Sequence, residues 1–138
     1  AHDCNLGENI VIANNVQMGG HVTIDKHASL GGGSLVHQFC SIGSYSFLGA
    51  GFKLVQDLPP YIKVSGEPLK YSGVNSIGLG RKGFSDSEIS QIKKIYRIIY
   101  RSNYNTSQAL EKIENSFKSN EITNNVISFI KGSKRGLL

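Results

Sequence analysis

Hydrophobic residues in the first half of the chain recur every six positions. Leu6, Ile12, Met18, Ile24, Leu30, Val36, Ile42, Leu48 and Leu54 are nine successive aliphatic side chains on that spacing. The next position is small in most copies (Gly7, Ala13, Gly19, Gly31, Gly43, Gly49), and a small or apolar residue stands two positions before each aliphatic. An α-helix repeats at 3.6 and a half-buried strand at 2, so neither generates this series. A hexapeptide period is the mark of a parallel β-helix. Three hexads form one triangular coil, and nine predict about three coils whose flat sides are short parallel strands roughly 4.8 Å apart.

After Leu54 the pattern changes. The stretch from Val55 to Phe84 holds Pro59-Pro60, Gly66-Glu67-Pro68 and further glycines, and reads as an extended loop. Ser85 followed by Glu88 is a capping-box pattern. Ile89, Ile92, Tyr96, Ile99 and Tyr100 then follow at helical spacing. Thr106 is a candidate cap for a second helix carrying Leu110, Ile113 and Phe117, and a third runs from about Glu121 to Ile130, stopping near Gly132. The expected organisation is β-helix over 1–58, extended loop over 59–84, and a small helical domain over 85–138.

Composition narrows the function. At 39% hydrophobic and 18% charged, the 138 residues can build a core. No apolar run is long enough for a transmembrane segment, and the first residues, AHDCNLGENI, do not read as a secretory signal. There is no initiator Met, so the start reads as internal. Charge is uneven. Residues 1–58 carry two basic side chains (Lys26, Lys53) against four acidic ones, a net of −2, whereas residues 59–138 carry 13 against six, a net of +7. A basic half suits an acidic partner. Nucleic acid is disfavoured, because the aromatics sit at core phases of the helices and are not interleaved with the basic residues. Cys4 and Cys40 are two coils apart in one interior column, roughly 9.6 Å, beyond the ~7 Å reach of a disulfide. They read as buried small hydrophobes in a reducing compartment.

Folding the sequence at 18 residues per coil gathers the chemistry at one corner. Ala1, Gly19 and His37 share a column, then His2, Gly20 and Gln38, then Asp3, His21 and Phe39. Histidine suits general-base work near neutral pH, and Asp3 can orient His2 provided the chain turns between them. Gly20, beneath His2, leaves room for substrate and offers a backbone N–H to an oxyanion. His27 falls at another corner without such company and reads as a surface residue.

With these residues in view, the strings AHDC, GGHVTI, GGGSLVHQFCSIG, QDLPPY, VNSIGL, RKGFS and IYRS make the chain similar, over essentially its whole length, to the C-terminal half of the UDP-N-acetylglucosamine O-acyltransferases. The resemblance implies a left-handed parallel β-helix followed by a small α-helical domain, within a longer protein that carries further coils upstream. It implies transfer of a 3-hydroxyacyl group from acyl carrier protein to the glucosamine 3-hydroxyl of UDP-N-acetylglucosamine, the first step of lipid A synthesis in the cytoplasm of Gram-negative bacteria. His2 is then the general base, Asp3 its orienter and the Gly20 amide the oxyanion site. His21, His37 and Gln38 match residues holding sugar nucleotide and acyl chain, and Asn75 and Arg81 match nucleotide and pantetheine contacts, with Lys82 as a second basic residue. Ala50 and Phe47 fall where acyl length is set. The resemblance further implies a homotrimer with its sites between neighbours and no metal or redox cofactor, the acyl donor riding on phosphopantetheine. Lys70, Arg81, Lys82, Lys93, Lys94, Arg97 and Arg101 could steer the acidic carrier. The chain departs from the family at Ile77, often Glu; at Lys82, a weaker bidentate partner than Arg; and at Ala50, commonly Gly. Three other readings stand beside this one: the sister N-acyltransferase of the same pathway, a zinc site of the γ-carbonic-anhydrase type built on three histidines, and a non-catalytic scaffold.

Overall fold

The computed structural model describes all 138 residues. Nine two-residue strands follow one another at six-residue intervals: β1 (Asn5–Leu6), β2 (Val11–Ile12), β3 (Gln17–Met18), β4 (Thr23–Ile24), β5 (Ser29–Leu30), β6 (Leu35–Val36), β7 (Ser41–Ile42), β8 (Phe47–Leu48) and β9 (Lys53–Leu54). Each ends on the repeating aliphatic. They stack as three parallel sheets, with orders β1-β4-β7, β2-β5-β8 and β3-β6-β9, forming a three-coil β-helix. Register is set by the repeat, so Leu6 lies over Ile24 and Ile24 over Ile42.

The second residue of each strand points inward, and in the lower two coils all six aliphatics are at most 4% exposed. The column two positions earlier (Val22, Ala28, Ser34, Cys40, Ser46) is fully buried and supplies the small residues that the narrow interior can hold. At the open upper end the same inward positions are uncovered: Leu6 is 48% and Ile12 40% exposed.

A second period explains the corners. Asp3, Asn9, Asn15, His21, His27, Gly33, Phe39, Tyr45 and Gly51 fall at six-residue intervals, and every one has positive φ. The chain turns at each corner through a single left-handed residue, which is why Asn, Asp, His and Gly dominate the column. The small residue after each aliphatic has a separate cause. A Cβ on Gly19 would lie 2.6 Å from the backbone nitrogen of Gln38 in the coil below.

The lower end is closed by segments that the extended-loop reading of 59–84 missed. β10 (Ile62–Ser65) and β11 (Lys70–Val74) form an antiparallel hairpin that continues the β8 sheet, and α1 (Ser76–Arg81) follows. Ile62 and Val64 face inward while Lys63 faces out, so the alternation of a strand was present on one side of Gly66-Glu67-Pro68. Three longer helices complete the chain: α2 (Asp86–Arg101), α3 (Thr106–Ser116) and α4 (Glu121–Gly132). Ser85 and Glu88 form the expected capping box. α3 is capped by Asn105, not Thr106, through a capping box with Gln108; the asparagine precedes the helix, and Thr106 is its first residue. No helix is long and apolar enough to cross a membrane.

The C-terminal tail returns to the last coil at Asp57, which is 1% exposed. The Asp57 carboxylate accepts hydrogen bonds from the Ser41 N–H (2.7 Å), the Ser133 hydroxyl (2.6 Å) and the Arg135 N–H (3.2 Å). Tyr100 on α2 donates to the carbonyl of Leu138. Coil, helices and tail are thereby tied at one buried acid.

Candidate active site

The corner joining the β3-β6-β9 sheet to the β1-β4-β7 sheet carries the chemistry. Neighbours in an extended strand point to opposite faces, but Asp3 has φ 58, and the turn brings its carboxylate back beside His2. Asp3 Oδ2 lies 3.0 Å from Nδ1 of His2 and 3.8 Å from Nε2 of His21. The two imidazoles meet edge to face, with centroids 5.2 Å apart and planes at 86°. With Nδ1 of His2 donating to Asp3, the lone pair sits on Nε2, on the ring edge that faces Gly20. This is the protonation arrangement that a general base requires.

Gly20 lies against the His2 ring. A Cβ there would sit 2.7 Å from Cε1 of His2, so the contact admits no side chain. The Gly20 carbonyl accepts from the Phe39 N–H, while its own N–H has no acceptor in the protein, leaving a backbone donor beside the His2 imidazole. His37 and Gln38 share the corner one coil below, with Nδ1 of His37 3.1 Å from the Gln38 carbonyl oxygen.

Not every candidate gathers here. Asn75 is at a different corner, its side-chain amide donating to the Tyr45 carbonyl at 3.0 Å. Arg81 ends α1, and both Arg81 and Lys82 are exposed. Ala50 is exposed at the third corner beside the left-handed Gly51, and Phe47 points outward from β8. One chain therefore presents the His2–Asp3 pair and Asn75, Arg81 and Lys82 on separate corners. His27 corrects the expectation of a surface residue: it stacks on Tyr45 at 4.8 Å, and its Nδ1 is buried without a partner.

Sequence reading passed over Asp57, though it extends the Asp3, His21, Phe39 column by one further coil. It also passed over Asn125, whose amide donates to Ser44 Oγ (2.8 Å) and Tyr61 Oη (2.9 Å) to hold α4 on the solenoid. Nothing local marks Asn125, because its partners lie 81 and 64 residues away.

His2, Asp3 and His21 offer donor atoms within 4.8 Å of one another, two imidazoles and one carboxylate. The three-imidazole set of a γ-carbonic-anhydrase-type site is not assembled, since His37 lies outside the group. Cys40, directly after Phe39, is no candidate nucleophile: burial pushes its thiol up to about 11. A cleft of about 980 Å³ lies elsewhere, between the β1-β4-β7 sheet and helices α2 and α4, lined by Asp25, Lys26, Tyr45, Phe84, Glu121 and Asn125 among others. None of the candidate residues lines it, and chemistry rather than size selects the His2 corner.

Comparison with known proteins places the chain. Residues 57–138 match the family model described as UDP N-acetylglucosamine O-acyltransferase, domain 2. The acyl-(acyl-carrier-protein)–UDP-N-acetylglucosamine O-acyltransferase of Syntrophobacter fumaroxidans is 50% identical over 139 residues, covering 100% of this chain and 54% of that protein. Its counterpart from Halorhodospira halophila is 44% identical with the same coverage. Among solved structures, the UDP-N-acetylglucosamine acyltransferase of Bacteroides fragilis superposes with a TM-score of 0.98 at 40% identity, covering 100% of this chain and 54% of that one. The Acinetobacter baumannii structure gives 0.95 at 37%, with the same coverage. The chain spans about half the length of the curated relatives it matches. With its left-handed parallel β-helix and C-terminal helices, it belongs to the UDP-N-acetylglucosamine O-acyltransferase family.

Proposed function

We propose that the chain supplies the acid–base corner of an enzyme that transfers a 3-hydroxyacyl group from acyl carrier protein to the glucosamine 3-hydroxyl of UDP-N-acetylglucosamine, the entry to lipid A synthesis in a Gram-negative cytoplasm. The observation that carries this reading is the His2–Asp3 pair at 3.0 Å over the side-chain-free Gly20. The whole-chain likeness to enzymes named for that transfer supports it.

In the mechanism, Nε2 of His2 removes the proton of the sugar 3-hydroxyl as its oxygen attacks the thioester carbonyl carbon. Asp3 holds the Nδ1–H and stabilises the imidazolium. The Gly20 N–H receives the developing oxyanion. Collapse expels the pantetheine thiolate, which takes the proton back from His2, leaving an ester and a free thiol. No metal or redox cofactor has a part in this sequence. His21, His37 and Gln38 hold the sugar nucleotide and the start of the acyl chain. Asn75, Arg81 and Lys82 reach nucleotide and pantetheine phosphates from a neighbouring subunit, because their own corner is not that of His2. A homotrimer with sites between solenoids meets this need, and exposed Val11, Leu35 and Phe47 give its contacts apolar area. Ala50 and Phe47 shape the acyl groove.

Lys70, Arg81, Lys82, Lys93, Lys94, Arg97 and Arg101 are all exposed, and none is in an ion pair within the chain. They form the attraction for an acidic carrier. The test is acyl transfer from a set of 3-hydroxyacyl carrier proteins to UDP-N-acetylglucosamine. It is run with this chain and with a full-length chain made by joining it to the upstream half of the Syntrophobacter relative, each with and without His2→Ala. An ester product lost in the mutant is expected. An amide product on an aminosugar acceptor would move the assignment to the sister N-acyltransferase, and no transfer by an intact trimer would leave a scaffold.

A further inference from the structure

Phe39 sits in the left-handed turn position with φ 66, where the third corner uses Gly33 (φ 72) and Gly51 (φ 75). A bulky residue in this conformation is rare, because its Cβ crowds the following carbonyl. Burial does not account for it, since the ring is 54% exposed. Tyr45 is the useful contrast. It has φ 58 and stacks on His27, but its ring also packs on Tyr61 and Phe84, and its carbonyl anchors Asn75, so the fold explains its presence. Phe39 makes one specific contact. It lies flat on His21, with centroids 4.8 Å apart and planes within 4°.

His21 in turn stands edge-on to His2 at 86° and directs Nε2 toward Asp3. We infer that Phe39 is a positioning residue for acyl transfer, fixing the plane of His21 so that His21 braces the Asp3 carboxylate against His2. Strained backbone at functional sites persists when the side chain it presents has work that an unstrained residue cannot do. Here glycine would suit the turn and lacks the ring. The inference rests on the acyltransferase reading, and its test is built to fail separately.

In the full-length chain described above, Phe39 is replaced by Gly, Leu and Tyr. The ring protons of His21 carry a ring-current shift from Phe39, which Phe39→Gly and Phe39→Leu should abolish and Phe39→Tyr should keep. Phe39→Gly should hold its Tm to within about 3 °C, because relief of the left-handed turn offsets the lost stack. For Phe39→Gly and Phe39→Leu, kcat should fall about tenfold, a larger change than in either KM although His21 also touches substrate, and Phe39→Tyr should restore it. An unchanged kcat in Phe39→Leu overturns the inference. So does a loss confined to the acyl-donor KM that varies with chain length, because the ring would then be an acyl contact. Absence of His2-dependent transfer in the unsubstituted chain fails the acyltransferase reading itself and the inference with it.

Discussion

Asp3 and His2 are adjacent in sequence, yet their side chains meet at 3.0 Å because Asp3 takes the left-handed turn of its corner. The turn does two jobs with one residue: it bends the coil and returns a carboxylate to the imidazole before it. Asp3→Asn keeps a side chain that tolerates the turn but offers a neutral amide in place of the carboxylate. The expected result is a kcat loss of about 10²-fold with stability unchanged. Asp3→Ala adds turn strain to the same loss. Steady-state kinetics with thermal melts on both variants checks this, and an unaltered kcat in Asp3→Asn would remove Asp3 from the mechanism.

Gly20→Ala places a methyl 2.7 Å from Cε1 of His2. That atom belongs to an exposed, rotatable ring, so the clash is relieved by His2 swinging away and not by the coil unfolding. Activity should fall at least about 10²-fold while Tm moves by less than about 3 °C. A melt lowered far beyond that would show that the tight fit matters to the coil instead.

Much of this fold was legible because a solenoid repeats its local physics. The hexad marks each strand, and the 18-residue coil brings His2, Asp3, Gly20, His21 and His37 to one corner by arithmetic alone. Two kinds of feature escaped that arithmetic. One lies where the repeat stops: β10 and β11 continue a sheet already started, and their short alternation around Gly66-Glu67-Pro68 was masked by prolines that signal loops. The other is pairing between distant residues, as in Asn125 with Tyr61 or Ser133 with Asp57, which no local pattern announces. The left-handed column was visible in the residues, since Asn, Asp, His and Gly recur there, but Phe39 and Tyr45 hide it, being bulky residues that such a turn disfavours.

Asp57 closes the lower coil. Its carboxylate is nearly unexposed and takes three donors from a strand and the C-terminal tail. Asp57→Ala strands those donors and should cost about 2–4 kcal/mol of unfolding free energy. Asp57→Asn, which retains an acceptor oxygen, should cost less. Urea titration of both variants checks the order, and equal stability would mean that the tail contributes little to the fold.

Cys40 carries a pH signature. Burial raises its thiol from an ordinary value near 9.0 to about 11, so the unfolded chain loses that proton before the folded one does. Between those values the unfolded state binds fewer protons, and stability therefore falls as pH rises. Urea midpoints should drop from pH 9 to 11, and Cys40→Ala should make that fall shallower, the rest coming from Tyr61, Tyr96 and Tyr100, whose hydroxyls burial also pushes up. In the native state Cys40 should resist thiol reagents at pH 8 and react fully once unfolded.

The basic face of α2 gives the last prediction. Lys93, Arg97 and Arg101 recur every four residues with Lys94 beside them, all exposed, and Arg101 also lies over the Tyr71 ring at 5.7 Å. Like charges at this spacing repel along a helix by a few tenths of a kcal/mol per pair, so their presence without acidic partners fits a docking surface for an acidic protein. Reversing Lys93, Lys94 and Arg97 to Glu should raise the KM for the acyl carrier protein about tenfold or more, leave the KM for the sugar nucleotide unchanged, and weaken the dependence of kcat/KM on salt. Helicity should be retained, because none of the three is buried. A carrier KM that stays constant would place the docking surface elsewhere on the protein, even with the transfer chemistry at His2 intact.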